Sequence, residues 1–382
     1  MQSMTHKDRL IVGGVDAHAN VHHFAALDRL GVLLGTKAFA ASTRGYADAL
    51  AWLSGFGQLD GIAVESSGSY AAGLVRYLRH HDIEVREVNQ PHPHTRRRVG
   101  KSDAIDAELA ARLLLAGKAN AVPKQTDGIV ESIRTLRVAR NSAVKARTAA
   151  LVQVRDLIIT APAPLRDQLA ARKSLRGKTT LCARFRVGTG ELRDPTQAAK
   201  FALRALARRI ETLDQEITAI DQQLEPLVQA AAPRTVKLLG IATGHAGQML
   251  ITAGQNIDRL TSEASFAALC GTNPIPASSG KTIRHRLNTG GDRQANRALH
   301  LIAVCRLRYC QRTRDYAARR AQEGKTQREI MRCLKRYIAR EIYTTLKADL
   351  ANLPQPAKPT TSHLPANTTA IPGPNPGLCI TR

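Results

Sequence analysis

The sequence has 382 residues, enough for two domains and a linker. It carries 56 Lys and Arg against 31 Asp and Glu, a formal net charge of +25, and neutralised phosphates supply much of the affinity for nucleic acids. A ribosomal or membrane-surface protein could show the same surplus, but no amphipathic basic helix or lipidation motif is present, so we favour nucleic acid.

Other features of the composition exclude further classes. No run of about 18 apolar residues exists, and the first eleven residues lack the apolar core of a signal peptide. The six cysteines show neither a CxxC pair nor a His-paired metal spacing. We therefore expect an intracellular protein in a reducing setting, whose cysteines are small core residues and not zinc ligands.

The first third of the chain alternates between strand and helix patterns. Strands are predicted at 10–15, 21–27, 31–39, 61–65 and 83–88, and helices at 43–53, 69–79 and 103–115. This order is that of a ribonuclease-H-like α/β domain, which we place at residues 10–122, after a disordered segment at 1–9.

Long helices are predicted from about residue 127 to 235. Apolar residues at 129, 133 and 136 begin a helical face, and those at 144, 151 and 158 continue it. Residues 161–164 end this helix pattern. The stretch 166–196 is basic and is predicted to be irregular. An a/d coiled-coil seam follows, with steps of three and four: Leu203, Leu206, Ile210, Leu213, Ile217, Ile220, Leu224 and Leu227. We favour a helical hairpin that also dimerises over a long helix packed on its own domain.

The remainder divides into two parts. Residues 236–347 are predicted to form a mainly helical domain with a glycine-rich loop at 271–291. The Pro- and Thr-rich tail, 351–382, lacks a hydrophobic pattern and is predicted to be disordered.

Four carboxylates fall where the α/β fold would bring them together. Asp16 ends the first strand and Glu65 the fourth, which are neighbours in a ribonuclease-H-like sheet. Asp103 and Asp106 lie three apart, on one face near the start of a helix. Alone, each is more simply a turn or helix-capping residue, but together in so basic a chain they favour a Mg²⁺ site, because crowded carboxylates need a cation.

Histidines and basic residues lie close to these acids in the sequence. We reject a zinc site at His18, His22 and His23, since no cysteine accompanies them and the four acids suit oxygen chemistry. The segment 92–101 supplies a candidate phosphate clamp or, equally, a solvated basic loop: Arg96, Arg97, Arg98 and Lys101.

A second candidate site is the segment 266–300, in which Ser278 and Ser279 occupy the tip of an irregular loop. Basic residues surround the two serines: Lys281, Arg284, Arg286, Arg293 and Arg297. A serine hydroxyl in such a setting can attack a phosphodiester when activated. Chemistry alone favours a turn or a phosphate contact, and the spacing supports no Ser/His/Asp triad.

Four motifs together resemble one family. GVDAH, AVESSGSY, KSDAIDAELAARLL and NPIPASSGKTIRHRLNTGGDRQANRALH are similar to those of the DEDD transposases of the insertion-sequence one-ten family, and the resemblance spans residues 10 to about 347. One stretch departs from the family pattern: 238–248, LLGIATGHAGQ, lacks the proline of the usual Ile-Pro-Gly-Val-Gly hairpin.

The resemblance implies a RuvC-like N-terminal domain, a coiled-coil linker and a C-terminal transposase domain. It implies that Asp16, Glu65, Asp103 and Asp106 bind Mg²⁺ or Mn²⁺ and that Ser279 is the nucleophile, forming a covalent phosphoserine link to DNA. It further implies that the protein binds donor DNA, target DNA and a structured guide (bridge) RNA. It also implies a dimer or tetramer in which the serine of one protomer completes the acidic site of another. The expected location is the cytoplasm of a prokaryote, in association with the nucleoid.

Two alternatives remain open at this point. One is a RuvC-type nuclease or resolvase that uses a metal-activated water, with Ser279 only a phosphate contact. The other is a catalytically silent nucleic-acid-binding protein.

Overall fold

The computed structural model describes residues 9–65, 68–88, 102–187, 192–256, 259–278 and 285–353. The expected disorder at 1–8 and 354–382 and the clamp residues Arg96, Arg97, Arg98 and Lys101 lie outside this part. So do Ser279, Lys281 and Arg284.

A five-stranded sheet occupies the N-terminal region, with the order β3-β2-β1-β4-β5. Its strands are β1 Leu10–Ala17, β2 Val21–Asp28, β3 Leu33–Ala40, β4 Gln58–Glu65 and β5 Val85–Val88. β1 pairs antiparallel with β2 and parallel with β4. The ribonuclease-H-like architecture and the predicted element order are confirmed, with β4 three residues longer at its start.

Helices cover both faces of this sheet. They are α1 Thr43–Ser54, α2 Ala72–His80 and α3 Asp103–Leu115. Ile11 and Val15 of β1 face the core shared with α1 and α2, whereas Val12 packs with Ala111 of α3. Because side chains alternate along a strand, Gly14 and Asp16 also face α3.

Two long helices form an antiparallel hairpin, α4 Gly128–Thr160 and α7 Pro195–Ala231. Ion pairs join Arg140 to Asp221 and Arg147 to Asp214 across the pair. Of the predicted seam, Leu203, Ile210 and Leu224 are buried, whereas Leu206, Leu213, Ile217, Ile220 and Leu227 are half-buried. The predicted intramolecular hairpin is therefore present.

The prediction that 166–196 is irregular is wrong. Two short helices lie there, α5 Ala163–Ala170 and α6 Leu175–Ala183. Leu165 and Leu169, one turn apart, are buried with Cys182 against Leu203 and Ile210 of α7. Tertiary burial at the tip of the hairpin thus stabilises helices that the many basic residues of this stretch obscured.

The C-terminal region is mainly helical. Its elements are α8 Thr243–Ala253, α9 Glu263–Leu269, the short strands β6 Ile275–Pro276 and β7 His285–Arg286, α10 Arg293–Tyr309, α11 Gln311–Gln322 and α12 Gln327–Leu350. Their core is continuous with the base of the hairpin. Among the described residues, no helix is both long and apolar enough to cross a membrane.

The segment between α3 and α4 connects the sheet domain to these helices. Arg79 donates to the carbonyl oxygen of Pro123 at 2.7 Å, and Asn256 donates to the same oxygen at 3.1 Å. Lys124 Nζ donates to the carbonyl oxygen of Ile251 at 3.0 Å. Hydrogen bonds to this segment therefore link α2 with the end of α8.

Candidate active site

Two of the predicted acids stand at neighbouring strand ends. Val15 of β1 pairs with Val64 of β4, so Asp16 and Glu65 occupy the next positions on adjacent parallel strands. Both face the side of the sheet that α3 covers, as Ala63 does with Ala110. Parallel neighbouring strands are about 4.8 Å apart, which is a spacing that allows two carboxylates to face a common point.

The other two acids reach the same region because α3 lies very close to β1. A Cβ on Gly14 would lie 2.0 Å from the carbonyl oxygen of Ala107 and 2.5 Å from the amide of Ala111. Only glycine permits this approach. Asp103 and Asp106 occupy the first turn of α3, just before this contact, which brings that turn next to the end of β1.

The start of α3 is fixed by its own cap. Ser102 accepts a hydrogen bond from the amide of Ile105 at 3.3 Å, which satisfies one of the free amides at the helix start. Asp106 is buried at 4% exposure and Glu65 at 8%, whereas the Asp103 side chain is 43% exposed. Glu65 and Asp106 are therefore buried, whereas Asp103 is partly exposed to solvent.

Two histidines join the acids. His18 Nε2 lies 3.1 Å from Asp16 Oδ2 and 3.4 Å from Asp103 Oδ1. His23, opposite Asp16 in the β1–β2 pairing, places Nε2 3.3 Å from Asp103 Oδ2. The His18 imidazole thus lies between two carboxylates that would otherwise repel each other, and His23 contacts one of them.

Ligand atoms of Asp16, His18 and Asp103 lie within 4.8 Å of one another, and this is the metal-compatible cluster found among the described residues. Two carboxylates and an imidazole at this spacing suit a divalent cation such as Mg²⁺ or Mn²⁺. Of the four predicted acids, Asp16 and Asp103 therefore belong to a metal-compatible cluster, which does not include Glu65 or Asp106 and does not identify the ion.

Sequence reasoning missed His18, because it excluded all three histidines from the metal site. Strand alternation could have found it, since His18 is two residues beyond Asp16 on the same face. His22 has the opposite orientation: it is buried and stacks on Tyr46 with ring centroids 5.6 Å apart. Burial lowers the pKa of His22, which favours its neutral form.

The segment that carries the predicted serine begins and ends on well-held backbone. Asn296 Nδ2 donates to the carbonyl oxygens of Cys270 and Gly271 at 3.0 and 2.8 Å. Lys335 Nζ donates to Asn296 Oδ1 at 2.8 Å, and its burial lowers the pKa of this ammonium group. Ser278 is exposed.

Asp292 holds the other end of the segment. Its Oδ1 accepts from the amides of Gln294 and Ala295 at 2.8 and 3.2 Å, which caps α10. Its Oδ2 lies 3.1 Å from Gln248 Nε2 and 2.7 Å from Thr252 Oγ1. One carboxylate therefore joins the end of the loop to α8.

The described basic residues of the predicted DNA surface are all exposed: Arg286 on β7, and Arg293 and Arg297 on the first turns of α10. Arg297 also borders a cavity of about 490 Å³, with Arg137, Arg140 and His245. The proline-free stretch 238–248 contributes Thr243 and Gly244 to this cavity at the start of α8. Arg137 donates to the carbonyl oxygen of Gly244 at 2.9 Å.

Comparison with known families agrees with the geometry. The DEDD transposase model of the IS110 family, described as "Transposase", matches residues 13–160. The model described as "Transposase IS116/IS110/IS902 family" matches residues 236–318. No curated protein matches the chain. The first match contains the four acids, and the second contains the serine segment. The chain belongs to the IS110 family of DEDD transposases, and it acts on DNA.

Proposed function

We propose that this transposase cleaves and exchanges DNA strands by a divalent-metal-dependent reaction that passes through a covalent phosphoserine intermediate. The observation that carries the metal requirement is the cluster of Asp16, His18 and Asp103 at the end of β1. Its place in the sheet domain of a DEDD transposase makes it the centre at which a scissile phosphate would bind.

Asp16, Glu65, Asp103 and Asp106 would hold Mg²⁺ or Mn²⁺. A bound divalent cation stabilises the negative charge that develops on phosphate oxygens during phosphodiester exchange. The carboxylates would fix the position of the cation, and through the cation that of the phosphate, with Glu65 and Asp106 buried and Asp103 nearer the surface. The contacts of His18 support a role as a further ligand or as a group that positions Asp16.

Ser279 is the proposed nucleophile, by resemblance to the family's serine motif. Its Oγ would form an ester with the scissile phosphorus while the deoxyribose oxygen leaves and takes up a proton. A second exchange, in which a deoxyribose hydroxyl attacks the phosphoserine, would join the new strand and release the serine.

The basic residues around the serine would position the DNA backbone. Arg286, Arg293 and Arg297 are exposed beside the described ends of the segment, and Lys281 and Arg284 lie within it. The clamp residues would serve the acidic domain in the same way: Arg96, Arg97, Arg98 and Lys101. Phosphate contacts of this kind fix register without reading sequence.

Sequence choice would therefore come from a structured guide RNA that pairs with donor and target DNA. We further propose a dimer or tetramer in which the serine of one protomer completes the acidic site of another. The half-buried positions Leu213 and Ile217 of the α7 seam are available for such an assembly, whereas Ile220 packs against the protein's own core.

The deciding experiment incubates purified protein and the RNA of its flanking locus with donor DNA and Mg²⁺. We expect a protein–DNA adduct that maps to Ser279 by peptide mass spectrometry. Ser279→Ala should abolish both the adduct and recombination, and Ser278→Ala is the matched control that should retain them. Asp16→Asn and Glu65→Gln should abolish the adduct while retaining DNA binding.

Other results would indicate a different activity. DNA cutting that persists in Ser279→Ala, without an adduct, would indicate a nuclease that uses water. DNA binding that is insensitive to both Asp16→Asn and metal removal, with no cleavage by the wild type, would indicate a silent binding protein. Steep salt dependence alone decides nothing, because every phosphate-binding protein shows it.

A further inference from the structure

A cleft in the C-terminal region lies outside the acidic site and is lined by different residues. It has a volume of about 420 Å³, within the range of roughly 300–1,000 Å³ for small-ligand sites. One wall is formed by 271–274 and 285–288, and the other by Arg320 of α11, Lys325 and one face of α12. None of the predicted metal ligands lines it.

The lining is strongly basic. Among the described residues that border the cleft, seven are arginine or lysine and one, Glu329, is acidic. Glu329 is already used in the capping box of α12, where its Oε2 accepts from the amide and hydroxyl of Thr326 at 2.9 and 2.8 Å. The cleft therefore attracts anions.

Local carboxylates neutralise only part of this charge. Arg336 and Arg340 share a single partner, Glu263, at 2.8 and 2.7 Å. Within the part of the chain that the structure describes, no ion pair involves Arg286 or Lys325. These two cations stand on opposite walls, which is suitable for contacting a phosphate from two sides.

The cleft also offers an aromatic surface. Tyr337 borders it and is 53% exposed. Tyr316 holds the ring from one side in an edge-to-face contact, with centroids 5.4 Å apart and planes at 80°. Leu287, which is 51% exposed, lies on the opposite wall. An apolar ligand group can therefore enter between a fixed tyrosine and a leucine.

Cations with an exposed, supported aromatic ring are the combination that binds single-stranded nucleic acid, by phosphate contacts and base stacking. A duplex keeps its bases stacked inside and would use only the cations. The aspartate and glutamate side chains of an acidic peptide would use the cations but carry no aromatic ring to stack on the tyrosine. The geometry points to a binding site for one unstacked nucleotide of a single strand, with its base on Tyr337 and its phosphate near Arg286 and Lys325.

The site does not depend on the proposed serine or metal chemistry, so it is tested without metal. The test uses full-length protein and fluorescent hexanucleotides, oligo-dT and oligo-rU, each with one central 2-aminopurine. We expect binding with quenched 2-aminopurine fluorescence, and an abasic residue at that position should weaken binding roughly tenfold. The oligomer that binds more tightly identifies the strand as DNA or RNA.

Variants separate stacking from general charge. Tyr337→Ala should lose roughly tenfold in affinity together with the quenching, whereas Tyr337→Phe should retain both. Tyr309→Ala is the matched control, because Tyr309 is also exposed beside an arginine but borders no part of this cleft. Lys325→Gln should weaken binding more than Arg312→Gln, a neutralisation on the exposed side of α11.

A separate measurement covers the case in which Tyr337→Ala does not fold. Photo-crosslinking of a 4-thiothymidine or 4-thiouridine hexamer to the wild-type protein should label Tyr337 or a neighbouring peptide of α12. Labelling elsewhere, equal losses in Tyr337→Ala and Tyr309→Ala, or competition by poly-glutamate as strong as by unlabelled hexamer would each overturn the proposal.

Discussion

The acidic cluster and the serine segment are positioned by different kinds of contact. At the acidic cluster, close backbone packing positions the side chains, because Gly14 lets α3 lie against β1 and so brings Asp103 next to Asp16. At the two described ends of the serine segment, side chains fix the backbone, since Asn296 donates to the carbonyl oxygen of Cys270 and Asp292 accepts from the amide of Ala295. The first site should therefore fail when backbones are pushed apart, and the second when single polar groups are removed.

The largest effect is expected from Gly14→Ala. Its Cβ would lie 2.0 Å from the carbonyl oxygen of Ala107, so α3 must move away from the sheet. Overpacking of this kind costs about 1–3 kcal/mol or more. Denaturant unfolding should show that loss, and calorimetry should show lost divalent-cation binding.

Gly13→Ala is the control for this substitution. Its Cβ would meet side-chain atoms of Ile62 at 3.0 Å and Leu53 at 3.5 Å on the opposite face, and side chains can adjust. If the two variants were equally destabilised with cation binding intact, the contact of α3 with β1 would not be what positions the acids.

Asp292→Ala should produce a smaller loss, of about 1–2 kcal/mol in the free energy of unfolding. It removes a helix cap, worth about 1 kcal/mol, and takes one hydrogen bond each from Gln248 and Thr252. These two residues keep their hydrogen bonds to each other at 3.3 and 2.8 Å, so the further cost is about 1 kcal/mol. Asp194→Ala removes only the cap of α7, where Asp194 accepts from the amide of Thr196. An equal loss in both variants would show that the link to α8 contributes nothing.

His18→Ala tests whether the imidazole belongs to the metal centre. Imidazole suits Mn²⁺ better than Mg²⁺, which prefers oxygen ligands. We expect Mn²⁺ affinity to fall roughly tenfold with a smaller change for Mg²⁺, measured by calorimetric titration. Equal losses for both ions would mean that His18 only positions Asp16, and His80→Ala, at the far end of α2, is the control.

The smallest effect concerns Glu263, whose ion pairs join α9 to α12 in addition to the ring contact of Phe266 with Tyr343. Hydrogen bonds from Arg336 and then Arg340 lower the pKa of Glu263 to about 2. A lowered carboxylate pKa stabilises the fold above the ordinary value of 4.5, and this contribution disappears as the pH falls from about 4.5 towards about 2.

Because Glu263 is close to solvent, Glu263→Gln should lower the melting temperature by about 2 °C or less at pH 7. The difference from wild type should vanish near pH 2. Glu211→Gln, an exposed change on α7, should show no difference at either pH. If the melting temperatures of Glu263→Gln and wild type still differed at pH 2, the effect would come from packing and not from charge.

Much of the fold could be read from the sequence. The strand and helix order of the sheet domain follows from periodicity and turn residues, and the bounds of α3, Asp103–Leu115, are those predicted from its helical pattern. The steps of three and four from Leu203 to Leu227 predict the greater part of α7, which runs from Pro195 to Ala231. These features are local, because each depends on residues within a few turns of one another.

Local patterns failed where distant contacts compete with them. The helices α5 and α6 lie in a stretch that is basic overall, and they form because Leu165, Leu169 and Cys182 pack against α7. His18 joins the acids because the first turn of α3, some 85 positions away in the chain, lies over the end of β1. No spacing in the sequence reports that contact.

The sequence by itself determined the element order, the acids and the excess of positive charge, since composition and short-range periodicity carry that information. The tertiary structure decided which side chains lie close together. It places His18 with Asp16 and Asp103, and it places Tyr337 in one cleft with several cations. The physical reason is that a contact between elements depends on how closely two backbones can approach, as at Gly14, and on which faces they turn to each other.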